Sequence, residues 1–450
     1  MKDLTVGNES RVIFYFALPM LFGNIFQQLY NIVDSIIVGN YIGKEALAAV
    51  GASFPVIFVL ISLIIGVSMG STIIISQFYG AKDYRNVKKA IDSLLIFLIY
   101  ASVIITVVGL IFSKAIFRLM GLPDAILADA VSYFNIIICG IFLAFGYNAI
   151  SSILRGLGDS KTPLYFLIVA TLLNIILVVL FVGVFKWGIK GSAVATLIAQ
   201  GVAFILAVIY LNRFNKVLNF SFTNIRFDKT IFFQSLKIGI PAGLQQTFIA
   251  VGMVVLQSIV NGFGTETIAA YIVAGRIDSF AMQPAMNFSM ALSAFVGQNI
   301  GARKLDRVRK GLITTLLMTS VFSVATTFIA IFFGSQLISL FNQDVNVINT
   351  GHSYLIIVCS FYLVFSTMLV IQGVIRGAGD TLVPMLFTLI SLVILRLPIA
   401  YFLSRIYGPD GIWWSIPIAW TFGMIASGIY YLSGKWKHKI VTKTFRSSEN

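Results

Sequence analysis

Within the apolar run Pro19 to Asn40, PMLFGNIFQQLYNIVDSIIVGN, stand Gln27, Gln28, Asn31 and Asp34. On a helix of 3.6 residues per turn, Gln27, Asn31 and Asp34 fall at i, i+4 and i+7 and form one polar stripe. A carboxylate in hydrocarbon is costly, so it faces a bundle interior or a watery cavity, where it can bind a proton or a cation. The stripe points to ion chemistry at Asp34, with Gln27 and Asn31 lining the same surface. The structural alternative puts Asp34 near an outer interface, where a carboxylate costs little. The two amides on its face favour the first reading.

Positioning such a stripe requires a membrane bundle, and the composition supplies one. Hydrophobic residues make up 58% of the chain and charged residues 11%, with a mean hydropathy of +0.94. Soluble domains carry about 25% charged residues, so this is an all-α polytopic membrane protein throughout. A net charge of +15 in a soluble chain would suggest nucleic acid. Here the basic residues gather in loops and read as topology signals, so lipid head groups are expected partners and nucleic acid is not. No cleavable leader is expected, since Met1 to Ser10 is polar and the first apolar run is too long for one. Cys139 and Cys359 lie in apolar segments and read as packing residues, and His352 and His438 read as solvated. No metal site, catalytic constellation or Gly-x-x-x-x-Gly-Lys-Ser/Thr loop can be assembled. An enzyme is not expected, and neither is a cofactor. Energy should come from a gradient of H+ or Na+.

Apolar runs of about 20 residues give twelve candidate spans: 11–39, 47–78, 89–113, 130–153, 163–185, 190–212, 231–260, 266–298, 311–334, 352–374, 384–405 and 411–433. Residues 1–212 form an N-lobe of six spans and 213–230 a cytoplasmic linker. Residues 231–434 form a C-lobe of six more, and 435–450 a basic cytoplasmic tail. Lys82, Arg85, Lys88 and Lys89, then Arg155 and Lys161, Arg213, Lys216, Arg226 and Lys229, and Arg303 to Lys310 mark one side of the membrane. The opposite loops are poor in such residues, so both termini are expected in the cytoplasm of a bacterial inner (plasma) membrane protein.

The two lobes repeat. Leu154-Arg-Gly-Leu-Gly-Asp-Ser-Lys-Thr-Pro163 matches Ile375-Arg-Gly-Ala-Gly-Asp-Thr-Leu-Val-Pro384, and 376 − 155 = 221. The same offset pairs Gln77-Phe-Tyr-Gly-Ala81 with Gln298-Asn-Ile-Gly-Ala302, and Asn40 to Ala49 with Asn261 to Ala270. The chain is thus two halves of six helices, and an even number makes both enter from the same side, related by a pseudo-twofold axis along the membrane normal.

At these residues the chain resembles the multidrug and toxic compound extrusion (MATE) transporters, and within them a bacterial multidrug-export group of MepA type. The duplicated Gln-x-x-Gly-Ala and Arg-Gly-x-Gly-Asp loops and the Asp34 helix carry the likeness over nearly the whole chain. The resemblance implies export of amphipathic organic cations in exchange for protons or sodium ions by alternating access, with protons preferred. It implies an ion-coupling network of Asp34, Asn174 in Leu172-Leu-Asn-Ile-Ile176, and Thr196 in Ala195-Thr-Leu-Ile198. Some relatives carry a second acid where this chain has Val178, and others carry acids in helices seven and ten, where this chain has none. The active form is expected to be a monomer.

The halves differ in chemistry. The repeat position of Asp34 is Val255, whereas the eighth span carries Met282, Met286 and Met290 beside Gln283 and Asn287. Adaptable thioethers suit a substrate cavity, although ordinary helix packing also explains such a stripe. Arg276 and Asp278, two residues apart on that span, read either as a C-lobe charge network or as separate structural contacts, and Arg396 stands on the same footing. The Arg155–Asp159 and Arg376–Asp380 loops read as turns that lock hairpins. Two other readings stay open: a lipid-linked oligosaccharide flippase, disfavoured by the few intramembrane cations, and a passive channel, which would not need the acid, or a membrane receptor, which would bind ligand without net transport.

Overall fold

The computed structural model describes residues 2–214 and 227–441, so most of the expected linker and the end of the basic tail lie outside the described residues. Sixteen α-helices follow one another among the described residues. They are α1 (Glu9–Tyr41), α2 (Lys44–Gly80), α3 (Tyr84–Leu119), α4 (Asp124–Cys139), α5 (Ile141–Gly156), α6 (Lys161–Val178), α7 (Gly188–Phe214) and α8 (Lys229–Asn261). The second half holds α9 (Thr265–Ala281), α10 (Gln283–Gly301), α11 (Leu305–Ser339), α12 (Val345–Cys359), α13 (Tyr362–Gly377), α14 (Leu382–Leu389), α15 (Arg396–Tyr407) and α16 (Pro409–Leu432). Nine described helices are long and apolar enough to cross a bilayer, and the bent pairs α4–α5 (49°) and α12–α13 (46°) each supply one more span. The pair α9–α10 fills the remaining segment, which completes twelve spans in two halves of six.

Three spans expected to be continuous are broken, and two breaks have a local cause. Pro284, the second residue of α10, has no N–H and cannot continue the hydrogen bonding of α9, so the helix stops at Met282. Gly140 makes the corner between α4 and α5: a Cβ there would lie 2.2 Å from Leu197 Cδ2 on α7, so any side chain at this corner would push Leu197 aside. The bend at Ser360–Phe361 has no proline to explain it. Helical geometry loosens to π-type turns at Val179–Val184, after α6, and at Ile390–Leu395, between α14 and α15.

The Arg-Gly-x-Gly-Asp loops close hairpins with the same chemistry. Asp159 accepts the amides of Lys161 and Thr162 at 3.2 and 3.1 Å, the Thr162 hydroxyl at 2.7 Å and the Tyr210 hydroxyl at 3.1 Å. Asp380 accepts the Val383 amide at 3.4 Å and the Tyr430 hydroxyl at 2.5 Å. Gly158 and Gly379, 221 residues apart, take φ of +84° and +101°, the turn conformation that disfavours any side chain. Each aspartate therefore caps the next helix and ties it to the last helix of its half.

By mutual packing the chain divides into two compact units. The first contains Met1–Lys2, Phe22–Tyr79 and Asp83–Ile240; the second contains Asp3–Leu21, Gly80–Lys82 and Pro241–Asn450. The division falls inside α1, two residues after Pro19, and inside α8, directly before Pro241, so it does not follow the linker. In the second unit the segment before α1 is held down: Gln298 accepts the Leu4 amide at 3.0 Å, Asn299 donates to the Leu4 carbonyl at 3.2 Å, and Arg307 pairs with Glu9 at 3.0 Å. Trp436 and Ile440 from the start of the basic tail are buried in the same core as Phe288, Phe295 and Val374.

Candidate functional site

In the first unit, packing fixes where Asp34 can stand. Ile37 of α1 packs with Val178 and Val182 after Asn174 and with Ala195 of α7, which sets α1 alongside the sixth and fifth spans. Ala170 of α6 meets Ala199 and Ala203 of α7, small side chains that let these two helices close on each other. Tyr30 and Asp34 lie one turn apart on α1, and Ser192 and Thr196 lie one turn apart on α7.

These pairs meet as two rungs of a ladder. Ser192 Oγ donates to Asp34 Oδ1 at 3.1 Å. One turn away, Tyr30 Oη and Thr196 Oγ1 lie 3.0 Å apart, and either hydroxyl can be the donor. Asn174 Nδ2 on α6 donates to Thr196 Oγ1 at 3.3 Å. Asp34, Asn174 and Thr196 are all buried. Tyr133 of α4, also buried, is close enough to interact electrostatically with both Asp34 and Tyr30. Of the three residues expected to form one network, Asn174 bonds Thr196, while the direct partner of Asp34 is Ser192, one turn before Thr196 on α7. Tyr30, Tyr133 and Ser192 were absent from the sequence reading, yet Tyr30 and Ser192 each sit one turn before a residue that was in it.

The remaining residues of the expected stripe behave differently. Gln27 is exposed on α1. The side chain of Asn31 lies outside the described residues. Val178, the position of a second acid in some relatives, is fully buried apolar core.

In the second unit, the methionines do not share one helix. Met282 is the junction between α9 and α10, while Met286 and Met290 lie on α10 at 40% and 38% exposure. Asn287 is buried and donates to the Gln283 carbonyl at 2.9 Å and to its side-chain oxygen at 3.2 Å, so these two residues hold the broken helix end together. Arg276 is exposed and Asp278 is buried, as their two-residue spacing dictates. Asp278 accepts the Tyr354 hydroxyl at 3.1 Å and a second hydrogen bond from Tyr362. The arginine whose charge reaches it is Arg396, buried at the start of α15. Cys359 is buried beside this cluster, whereas Cys139 is exposed. No group of three or more His, Cys, Asp or Glu able to hold a metal ion occurs among the described residues.

Comparison with known proteins matches this architecture. The MatE family model matches twice, over residues 19–180 and 241–402, once in each half. Over 436 residues the chain is 34% identical to the probable multidrug resistance protein YpnP of Bacillus subtilis, covering 97% of each. It is 24% identical to the multidrug export protein MepA of Staphylococcus saprophyticus, over 92% of this chain and 91% of that one. A crystal structure of a MATE protein in the bent conformation superposes with a TM-score of 0.90 at 24% identity, covering 99% of this chain and 98% of the other. Two copies of one six-span pattern, a buried acid on the first helix and near full-length similarity to multidrug resistance proteins have one common explanation: the chain is a membrane transporter of the MatE family of multidrug efflux proteins.

Proposed function

We propose that this transporter exports amphipathic organic cations in exchange for protons, by alternating access, with Asp34 as the group that carries the ion. The observation that carries the reading is the buried Asp34 carboxylate bonded to Ser192, beside the rung of Tyr30, Thr196 and Asn174. Hydroxyls can turn from donor to acceptor, so the same partners can hold Asp34 as carboxylate or as acid without heavy-atom movement. An ionised acid in a membrane interior favours surroundings that solvate it, and a neutral one favours closure. Proton binding therefore shifts the balance between two conformations by their differential affinity for the proton. Pro19 lies within α1, where its missing hydrogen bond makes a bend cheap. A proton is the preferred ion, because it needs only the one carboxylate and its serine hydroxyl, whereas a sodium ion needs several oxygen ligands around it. The chain acts as a monomer in a bacterial plasma membrane, with both termini in the cytoplasm and lipid head groups against its basic loops.

Proteoliposomes loaded with a fluorescent organic cation test the coupling. A proton gradient should drive cation movement, and a sodium gradient at equal pH should not. Sodium-driven movement would keep the exchange and change the ion. Movement down the cation's own gradient, indifferent to either ion, would replace the antiporter with a passive channel.

A further inference from the structure

The second unit also holds a buried carboxylate, Asp278, which comes from a different helix and has repeat mates of residues near Asp34 around it. Tyr133, which interacts with Asp34, and Tyr354, which donates to Asp278, are repeat mates, since 354 − 133 = 221. Ser192, the partner of Asp34, and Trp413, which packs against Tyr354 with ring centroids 5.0 Å apart, are also repeat mates, since 413 − 192 = 221. The first half supplies its acid from α1 and has Ile57 where the second has Asp278; the second half has Val255 where the first has Asp34. Each half thus has one buried acid, placed from a different helix; Tyr354 bonds the second directly, whereas Ser192 bonds the first.

We propose that Asp278 is a second proton-binding site, which this transporter loads and empties in addition to Asp34. The groups facing Asp278 are Tyr271 on α9, Tyr354 and Cys359 on α12, Tyr362 on α13 and Arg396 on α15. Tyr354 and Tyr362 bond one carboxylate oxygen each. Tyr271 stacks on Trp413 with their planes 3° apart, and Trp413 is fully buried, so aromatic rings fill the space beside Tyr354 and the buried acid. Such packing suits a proton, which needs no cavity. Both phenols can also accept from a protonated acid, so loading forms one O–H bond on Asp278 and turns a phenol hydrogen away.

Arg396 makes the two states unequal. It is buried, no ion pair within 4.0 Å joins it to Asp278 among the described residues, and its Nε has no hydrogen-bond partner there. An ionised Asp278 offsets that charge across the cluster, and a protonated one leaves a buried guanidinium uncompensated. Loading the proton therefore favours a conformation in which Arg396 finds water or another partner, which is the kind of differential affinity that lets a proton drive a conformational change. The transport consequence rests on the antiport reading above; proton binding itself does not.

The test is infrared difference spectroscopy of the protein in lipid vesicles across a pH titration, read at the carbonyl stretch of a protonated carboxyl group. Wild type should show two such bands, one lost in Asp34→Asn and the other in Asp278→Asn. Should Asp278→Asn fail to fold, Tyr354→Phe and Tyr362→Phe each remove one donor from the acid, and each should shift the second band while leaving the Asp34 band in place. A spectrum unchanged by any of these three variants overturns the proposal, since a permanently ionised structural acid has no carbonyl band at any pH. In proteoliposomes, accumulation of tetraphenylphosphonium against its gradient should reveal one fewer proton exchanged per cation in Asp278→Asn, and an unchanged ratio also counts against it. Absence of proton-driven accumulation in wild type would sink the antiport reading, and the infrared bands would still decide Asp278.

Discussion

Gly239→Ala in α8 should destabilise the protein by about 1–3 kcal/mol, the usual range for overpacking a fitted contact. In the first unit α8 crosses α2 with backbone against backbone. A Cβ on Gly239 would lie 2.6 Å from the Val67 Cα and 2.8 Å from the Gly66 carbonyl oxygen; one on Gly70 would lie 2.5 Å from the Ser235 carbonyl oxygen. None of these atoms belongs to a side chain that can swing aside. Ordinary contact begins at 3.4 Å, so the helices must part by about 0.8 Å. A gap of that size forfeits roughly a quarter to a half of each dispersion contact along the crossing. Alanine's higher helix propensity returns at most about 1 kcal/mol. Gly275→Ala on α9 is the matched control, because nothing lies within 4 Å of its Cβ position. Denaturant titration in mixed micelles, followed by tryptophan fluorescence, should show a loss for Gly239→Ala and none for Gly275→Ala. Equal losses in both, or none in Gly239→Ala, would refute the close-approach reasoning.

Asp159→Ala and Asp380→Ala each remove a helix cap and a tyrosine tether, so each should cost about 0.5–2 kcal/mol in the same titration. The loss should be smaller where Tyr210→Phe or Tyr430→Phe is already present. Trp436→Ala empties a buried aromatic site where the indole donates to the Tyr431 carbonyl at 3.0 Å, and should cost about 3–5 kcal/mol. Asp228, before α8, is pulled upward by partial burial, but the Ile231 amide, the Lys89 ammonium at 3.0 Å and the Thr230 amide outweigh this and hold its carboxyl below the ordinary value. A depressed acid stabilises the fold above its ordinary value of about 3.9, and that contribution fades as the pH falls through the lower folded value. Asp228→Asn should therefore lose less than about 1 kcal/mol near pH 7, a loss reduced by salt and absent in strong acid, as stability measured against pH would reveal.

Much of the fold was legible because hydrocarbon leaves so few options: apolar runs of fixed length, basic loops and a duplicated set of turn motifs define twelve spans in two halves. The bend at Ser360–Phe361 was not legible, since it depends on packing between helices and carries no sequence mark. The break at Met282 did carry one, in Pro284, which a window of mean hydropathy passes over. At the site, Asp34 stood out because a carboxylate in an apolar run is costly, and Asn174 and Thr196 came from resemblance. Ser192 and Tyr30 stayed hidden because serine and tyrosine are ordinary in membrane helices, and only the crossing of α1 with α7 gives them a role. Arg276 drew notice by its place beside Asp278 in the chain, but i and i+2 diverge on a helix. The arginine that faces Asp278 is Arg396, 118 residues further on (396 − 278).

The most direct test of Asp34 as the ion carrier is proton movement itself. A pH-sensitive dye inside proteoliposomes reads protons while an organic cation is added outside, for wild type and Asp34→Asn, with cation binding measured on the same preparations. Wild type should move protons against the cation, and Asp34→Asn should still bind the cation while this cation-driven proton flux falls away. Cation-driven proton flux of wild-type size in Asp34→Asn would show that the proton travels elsewhere and would contradict the assignment.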